Sequence, residues 1–274
     1  MQPTIGSILK QQRQSQKLSQ VQAADGICSQ SMLSAIEHDR YTPNAQLLIA
    51  LCARLGLALD VLNLATNYAI SNADTINDRV ITLCNAHRYQ ELLNLLNDQD
   101  VIDHVQTDAQ TQSYYYYLAV AQLQAPATPQ LTAVRQSLQQ SLASAPATPT
   151  ALTRLAWVTM AYLDAINQQA KSADEYCDRA LDELGGDRFD PNLNVVYYLA
   201  ALTQHQLERD HRSLKLLLDG IDFITAHDSH FMLANCYYLI AVIAQSNGDA
   251  GRHLEAEQQS AFLAQLFDEH VHKP

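Results

Sequence analysis

The sequence contains little glycine and proline and no paired cysteine motif, and these shortages exclude several kinds of protein. Eight glycines and eight prolines among 274 residues are too few for a collagen-like or low-complexity chain, and they favour helices. The five cysteines are odd in number and form no CxxC, so neither a disulfide framework nor a zinc knuckle is indicated. We expect reduced thiols in a cytoplasmic protein.

Long apolar runs and catalytic motifs are also missing. The N-terminus lacks the apolar core of a signal peptide, and the most hydrophobic stretch, residues 47–64, is interrupted by Arg54 and Asp60. We therefore predict no membrane span. No phosphate-binding, dinucleotide-binding, nucleophile-elbow or zinc-protease motif occurs. The histidine pairs near residues 227–230 and 268–272 lack a third firm ligand. We predict no enzyme activity, no metal and no cofactor.

The negative charge of the chain is unevenly distributed. The formal net charge is −12, yet residues 1–67 carry five cations and four anions, so residues 68–274 carry −13. A near-neutral part joined to an acidic part suggests two domains with different partners. We therefore divide the chain into an N-terminal domain, 1–67, and a C-terminal domain, 68–274.

The N-terminal domain is predicted to contain five short helices. Ser19 and Gln22 match a capping box at the start of the second helix. The third helix is predicted at 29–37, a Thr-Pro pair opens the fourth, and residues 57–64 supply the fifth. Two short helices joined by a tight turn are typical of a helix-turn-helix, whose second helix enters the major groove of DNA.

The third helix carries short polar side chains on the face opposite Leu33 and Ile36. Glutamine can form two hydrogen bonds to adenine, and serine can bond to base edges or phosphates. The first turn of the preceding helix is placed to reach a phosphate. The predicted DNA-binding residues are Lys17, Gln20, Ser29, Gln30, Ser31, Ser34, Arg40 and Tyr41.

The C-terminal domain is predicted to consist of helix pairs that recur about every 35–40 residues, as in tetratricopeptide-like (TPR-like) repeats. The predicted pairs are 74–87 with 89–99, 107–124 with 129–145, 149–167 with 169–184, 191–207 with 210–226, and 228–247 with 249–268. The fold class is therefore all-α, with an N-terminal helix-turn-helix domain followed by a right-handed helical-repeat solenoid.

The first helices of the pairs are rich in aromatic and amide side chains, and in a solenoid these helices line a concave groove. Amides can bond to a peptide backbone, and tyrosine combines apolar area with a polar tip. Each of these side chains could equally pack between helices, but 13 tyrosines against 5 phenylalanines favour a groove with a wet edge. The predicted peptide-binding residues are Asn63, Trp157, Asn194, Tyr197, Asn235 and Tyr238.

The segment "LSQVQAADGICSQSMLSAIEHDRYTPNAQLLIALCARLGL" resembles the helix-turn-helix of the Cro/repressor (XRE) family. Followed by TPR-like repeats, it is similar to the RRNPP quorum-sensing regulators of Gram-positive bacteria, in their PlcR-like branch. That resemblance implies a homodimer, a near-palindromic promoter site and a short signalling peptide bound in the groove. It further implies a buried pair between Arg13 and Glu37, and peptide contacts near Asn85 and His87, where the family carries basic residues.

Together these patterns predict a cytoplasmic, peptide-controlled transcription regulator. Its expected partners are double-stranded DNA, a short signalling peptide and a second copy of itself, with no membrane. The alternative is a protein–protein adaptor or antitoxin-like regulator whose repeat domain binds a protein partner.

Overall fold

A computed structural model describes residues 5–41, 43, 45–55, 67–126, 128–184, 189–267, 269 and 271. The regular structure within these residues is entirely helical, which confirms the predicted all-α class. The helices are α1 (Ile5–Ser15), α2 (Gln20–Ala24), α3 (Gln30–Glu37), α4 (Ala45–Leu55), α5 (Asp74–Asn85), α6 (Tyr89–Leu96), α7 (Gln99–Asp103), α8 (Asp108–Gln124), α9 (Leu131–Ala143), α10 (Ala151–Ile166), α11 (Ala170–Leu181), α12 (Leu193–Gln206), α13 (Asp210–Ala226), α14 (Leu233–Ser246) and α15 (Ala250–Phe267).

The helices α1 to α4 form one packed unit. Both α1 and α2 contact α3 and α4, and Leu9 and Leu33 are fully buried between them. The predicted capping box of α2 is present, because Ser19 Oγ accepts from the Gln22 N–H and Gln22 Oε1 accepts from the Ser19 N–H. The predicted fifth helix, residues 57–64, lies outside the described residues.

Two contacts fix the positions of α2 and α3: α1 packs closely against α3, and α4 is hydrogen-bonded to the end of α2. α1 passes so close to the end of α3 that a β-carbon on Gly6 would lie 2.2 Å from the carbonyl oxygen of Ile36. Arg54 of α4 donates hydrogen bonds to the carbonyl oxygens of Gln22 (3.0 Å) and Asp25 (2.9 Å), at the end of α2. The orientation of α3 is therefore set by backbone contacts as well as by its apolar face.

From α8 onward the helices pack as hairpin pairs: α8 with α9, α10 with α11, α12 with α13, and α14 with α15. The first helices of successive pairs also contact one another. The second helices show no comparable contact with each other in the described ranges, so the first helices form the continuous layer of the array, as in a helical-repeat solenoid. We call α8, α10, α12 and α14 the inner helices.

Two local features differ from the sequence expectations. The short helix α7 was not predicted; it starts where the Asp98 carboxylate accepts a hydrogen bond from the Asp100 N–H. α14 begins at Leu233 and not at residue 228, because Met232 adopts a left-handed backbone with φ of 74°. Within the ranges described, no helix combines the length and the apolar character needed to cross a bilayer.

Candidate nucleic-acid interface and inner groove

α3 has a buried apolar face and an exposed polar face at its N-terminal end. Leu33 and Ile36 are buried in the core of the unit, whereas Gln30 and Ser31 are exposed. This division follows the helical period, which places residues three apart on one side. Ser29 caps the helix just before Gln30, and its Oγ accepts a hydrogen bond from the Met32 N–H at 3.2 Å.

A chain of hydrogen bonds runs from the buried core of the unit to the exposed face of α3. Arg13 donates to both carboxylate oxygens of Glu37, through Nε at 2.6 Å and Nη2 at 2.8 Å. Gln20 Nε2 donates to Glu37 Oε2 at 2.8 Å, and Gln30 Nε2 donates to Gln20 Oε1 at 2.7 Å. The exposed Gln30 amide is thereby held by α2 and, through it, by the buried ion pair. We call Arg13, Glu37, Gln20 and Gln30 the relay.

The ionisation of the relay is set by its own contacts. Burial alone would raise the pKa of Glu37, but hydrogen bonds from Arg13 and Gln20 and the Arg13 charge lower that pKa below its ordinary value. The hydrogen bond with Glu37 raises the pKa of Arg13 against the opposing effect of burial. Glu37 is therefore a carboxylate, able to accept from Arg13 and Gln20 together.

The other predicted DNA-binding residues surround the exposed end of α3. Arg40 and Tyr41 are exposed just beyond the helix, and Ser34 is half-buried. Lys17 is exposed in the turn after α1, with a positive φ of 56°. Ser29 and Ser31 lie with their hydroxyl oxygens 3.0 Å apart. The structure thus brings Gln20 next to Gln30 and Ser29 next to Ser31.

Ser29→Ala tests how much the N-terminal cap of α3 contributes to the stability of the domain. Losing the side-chain cap of α3 is expected to lower the free energy of unfolding by about 1 kcal/mol. Ser31→Ala, which removes an exposed hydroxyl without a capping role, is expected to leave it nearly unchanged. Thermal unfolding followed by circular dichroism measures both; equal melting temperatures for the two variants would contradict the cap.

The two buried amides among the predicted peptide-binding residues are hydrogen-bonded to other parts of the chain. Asn194 of α12 donates to the Phe231 carbonyl oxygen at 3.0 Å and to Ser229 Oγ at 3.1 Å. Asn235 of α14 donates through Nδ2 to the Glu269 carboxylate. Asn194 therefore joins α12 to the segment just before α14, and Asn235 joins α14 to the residue Glu269 just after α15.

The predicted aromatic residues divide between the helix pairs and the inner surface. Tyr197 lies against Gly220 and against the Phe223 ring, 5.0 Å between ring centroids, so it packs between α12 and α13. Trp157 and Tyr238 are half-buried on the inner helices α10 and α14.

The remaining predicted peptide-binding residues are His87, Asn85 and Asn63. His87 is exposed in the turn after α5, with φ of 53°, and its Nδ1 lies 3.2 Å from the Tyr89 hydroxyl. Asn85 is the last residue of α5, and its side chain is not among those described. Asn63 lies outside the described residues.

Tyr68, just before α5, connects the entry of the repeats to their middle. Its backbone N–H donates to the Tyr117 hydroxyl on α8 at 3.1 Å, and its own hydroxyl accepts from Asn192 Nδ2 at 2.9 Å, at the start of α12. Its ring packs among apolar residues of the inner helices. Burial, reinforced by the nearby Asp190 charge, raises the pKa of Tyr68. The segment that enters the repeats is therefore held on the inner helices.

Residues 9–62 match the family model described as Helix-turn-helix. This part of the chain is a helix-turn-helix domain. Within it, α2 and α3 are the helix pair, and the relay joins the exposed face of α3 to the domain core. No curated protein sequence matches the chain significantly.

The whole chain has the fold of solved helix-turn-helix proteins with helical repeats. Bacillus thuringiensis PlcR, in its complex with the peptide PapR7 and DNA, is 19% identical over 97% of this chain and 96% of that chain, with a TM-score of 0.60. PlcR in its apo form is 17% identical over 96% and 94%, with a TM-score of 0.57. ComR from S. thermophilus, with DNA and its signalling peptide ComS, is 15% identical over 97% and 95%, with a TM-score of 0.50. The predicted order of a helix-turn-helix domain and helical repeats is confirmed.

Tyr68 is not among the residues predicted from the sequence, although the sequence carries a signal for it. In the segment 67–75, which is otherwise made of small and polar residues, Tyr68 and Ile70 are the large apolar residues, and Ile70 is fully buried.

Tyr68→Phe removes the hydroxyl that accepts the hydrogen bond from the Asn192 amide, so it should lower the free energy of unfolding by about 1 kcal/mol. Tyr41→Phe, an exposed change in the helix-turn-helix domain, serves as the control in urea unfolding. Equal midpoints for the two variants would contradict the contact.

Proposed function

We propose that the chain is a sequence-specific DNA-binding transcription regulator controlled by a short signalling peptide. The observation that carries this proposal is the relay, which holds Gln30 in place on the exposed face of α3 within a helix-turn-helix domain. A held side chain loses less conformational entropy on binding than a free one, which favours base recognition over non-specific contact.

The amide of Gln30 has the groups that adenine recognition needs. Its bond to Gln20 uses one of the two N–H groups. In the described part of the chain the exposed amide keeps its second N–H and its oxygen available for adenine N7 and N6. Ser31 and Ser34 would complete the major-groove face, and Lys17, Arg40 and Tyr41 would contact the phosphate backbone on either side.

The acidic repeats, 68–274 in our division of the chain, would bind the peptide on the inner helices and form the homodimer. Support comes from PlcR and ComR, which share the fold and were solved with both DNA and a peptide. Trp157 and Tyr238, half-buried on the inner helices α10 and α14, are the predicted residues that we expect to make such contacts. Tyr68 would connect an occupied groove to the helix-turn-helix domain, 1–67. The dimer would act in the cytoplasm on a near-palindromic site.

The charge distribution favours specific over non-specific binding. The N-terminal 67 residues have a net charge of only +1. Few phosphates would be neutralised, so affinity should fall only weakly as salt rises.

Selection of bound fragments from a random DNA library, at fixed salt, with and without the small-peptide fraction of host culture medium, tests this proposal. Enrichment of an inverted repeat that changes with the peptide fraction is the expected result. Enrichment that ignores every peptide fraction would leave DNA binding standing and remove peptide control. No enrichment in either arm, together with a co-purifying protein partner, would favour the adaptor function.

A further inference from the structure

Two side chains at the end of α15 and just beyond it contact the start of α14. The Phe267 ring stacks on the His230 ring, with centroids 3.8 Å apart and planes at 14°. Two residues later, the Glu269 carboxylate accepts a hydrogen bond from Asn235 Nδ2, and the Glu269 N–H donates to the Ala264 carbonyl oxygen at 3.0 Å. We call Phe267 and Glu269 the latch residues.

The surroundings of the Glu269 carboxyl favour its neutral form. Its Oε2 atom is buried and has no hydrogen-bond partner among the described residues. The groups near it are uncharged at neutral pH: the amides at the start of α14, Cys236 of the same helix, and Tyr198 of α12. Tyr162 of α10 and Tyr238 of α14 face Tyr198 in turn. Burial raises the pKa of Glu269 to about 7, although hydrogen bonds from Asn235 and from the α14 backbone oppose the rise.

Burial also favours the neutral form of His230, but for an imidazole this lowers the pKa. Its ring is covered by Phe267, and burial lowers its pKa to about 4. A protonated imidazole would be costly there, as an ionised carboxylate would be at Glu269, because each charge would be partly removed from water.

We propose that the latch residues close over the start of α14 only while His230 and Glu269 are both neutral, and that opening lets both become charged. Opening therefore moves one proton out of the carboxyl and one onto the imidazole. Between about pH 4.5 and 6.5 the state with the latch open therefore carries a cation and an anion in water, beside the start of α14. This proposal does not depend on DNA or peptide binding.

The two groups respond to pH with opposite signs. The raised pKa of Glu269 makes closure strongest below about 4.5 and weakens it as pH rises toward about 7. The lowered pKa of His230 makes closure strongest above about 6.5 and weakens it as pH falls toward about 4. Between about pH 4.5 and 6.5 the effects cancel, because opening releases one proton and binds another.

Hydrogen exchange of the backbone amides at 232–236 tests the latch at about pH 5 and about pH 6, corrected with an unstructured reference peptide. In the unmodified chain, protection should stay the same between the two values. Glu269→Gln leaves His230 alone, so protection should rise about tenfold with the one-unit increase in pH. His230→Asn leaves Glu269 alone, so protection should fall about tenfold. The double variant should again show no pH dependence.

Glu255→Gln on α15 and His211→Asn on α13 are the matched controls, since both side chains are exposed. Each control should behave like the unmodified chain. If either single variant lowers protection at both pH values, the sign of its pH slope still identifies the group that titrates. Slopes of the same sign in the two single variants, or no slope in either, would overturn the proposal.

Discussion

Arg13→Met is expected to destabilise the helix-turn-helix domain by about 3–5 kcal/mol, the largest effect of any single substitution considered for it. The two residues of the pair are 9% and 3% exposed, and Arg13 also donates to the Leu18 carbonyl oxygen at 2.8 Å. Removing the guanidinium leaves the Glu37 carboxylate buried with Gln20 as its remaining donor in the described structure. Urea unfolding followed by circular dichroism measures the loss, with the exposed Arg40→Met as control.

The double variant Arg13→Met with Glu37→Leu separates the cost of an unpaired charge from the contribution of the pair. An apolar pair of similar volume usually replaces a buried ion pair at little cost, so the double variant should recover most of the lost stability. A double variant as unstable as the single one would show that packing of the Arg13 stem, and not the unpaired carboxylate, dominates.

The pH dependence of the single variant should also change sign. In the unmodified chain, the lowered pKa of Glu37 contributes stability that is present above about pH 4.5 and lost as pH falls through the folded-state pKa. In Arg13→Met the carboxylate has lost its cation, so its pKa should rise, and protonation at lower pH should relieve the penalty. The difference in free energy of unfolding between the two proteins is therefore expected to shrink between pH 7 and pH 4. A difference that stays constant between pH 7 and pH 4 would mean that protonation of Glu37 does not account for the instability of Arg13→Met.

The features that the sequence predicted well are those set by neighbouring residues. The capping box of Ser19 and Gln22 needs only residues three apart, and the turns between helix pairs contain proline, glycine and small polar residues. The apolar period of α3 predicted which side of that helix is buried. Local chemistry of this kind is sufficient for the all-α class and for the order of the helices.

The features that the sequence did not predict depend on contacts between distant residues. No local pattern shows that Tyr68 meets Asn192, which is 124 residues away, or that Glu269 meets Asn235. α14 begins later than the sequence pattern predicts, because no glycine marks the left-handed backbone at Met232. The hydrogen bonds of the buried amides Asn194 and Asn235 likewise join residues 34 to 37 positions apart and have no local sequence signal.

The bond between Gln20 and Gln30, on which the proposed base contact rests, is also absent from the sequence pattern. Gln30→Ala is expected to reduce discrimination at one base pair of the operator by about 1–3 kcal/mol. The physical reason is the loss of the two-point contact that a glutamine amide can make with adenine. Competition binding between the selected operator and its single-base variants measures it, and the exposed Gln14→Ala on α1 is the control. Unchanged selectivity would remove Gln30 from the interface.

Gln20→Ala should reduce the same discrimination by a smaller amount, because it frees the Gln30 side chain without removing its amide. If Gln20 acts through Gln30, the double variant should discriminate between operator variants no worse than Gln30→Ala alone, because Gln20 then has no Gln30 amide to hold in place. If Gln20 contacts phosphate independently, its loss should instead lower affinity equally for every operator variant, and the two substitutions should add. A double-mutant cycle of Gln20→Ala and Gln30→Ala distinguishes these outcomes. The first changes the ratio of affinities between the selected operator and its single-base variants, whereas the second lowers all of these affinities by the same factor.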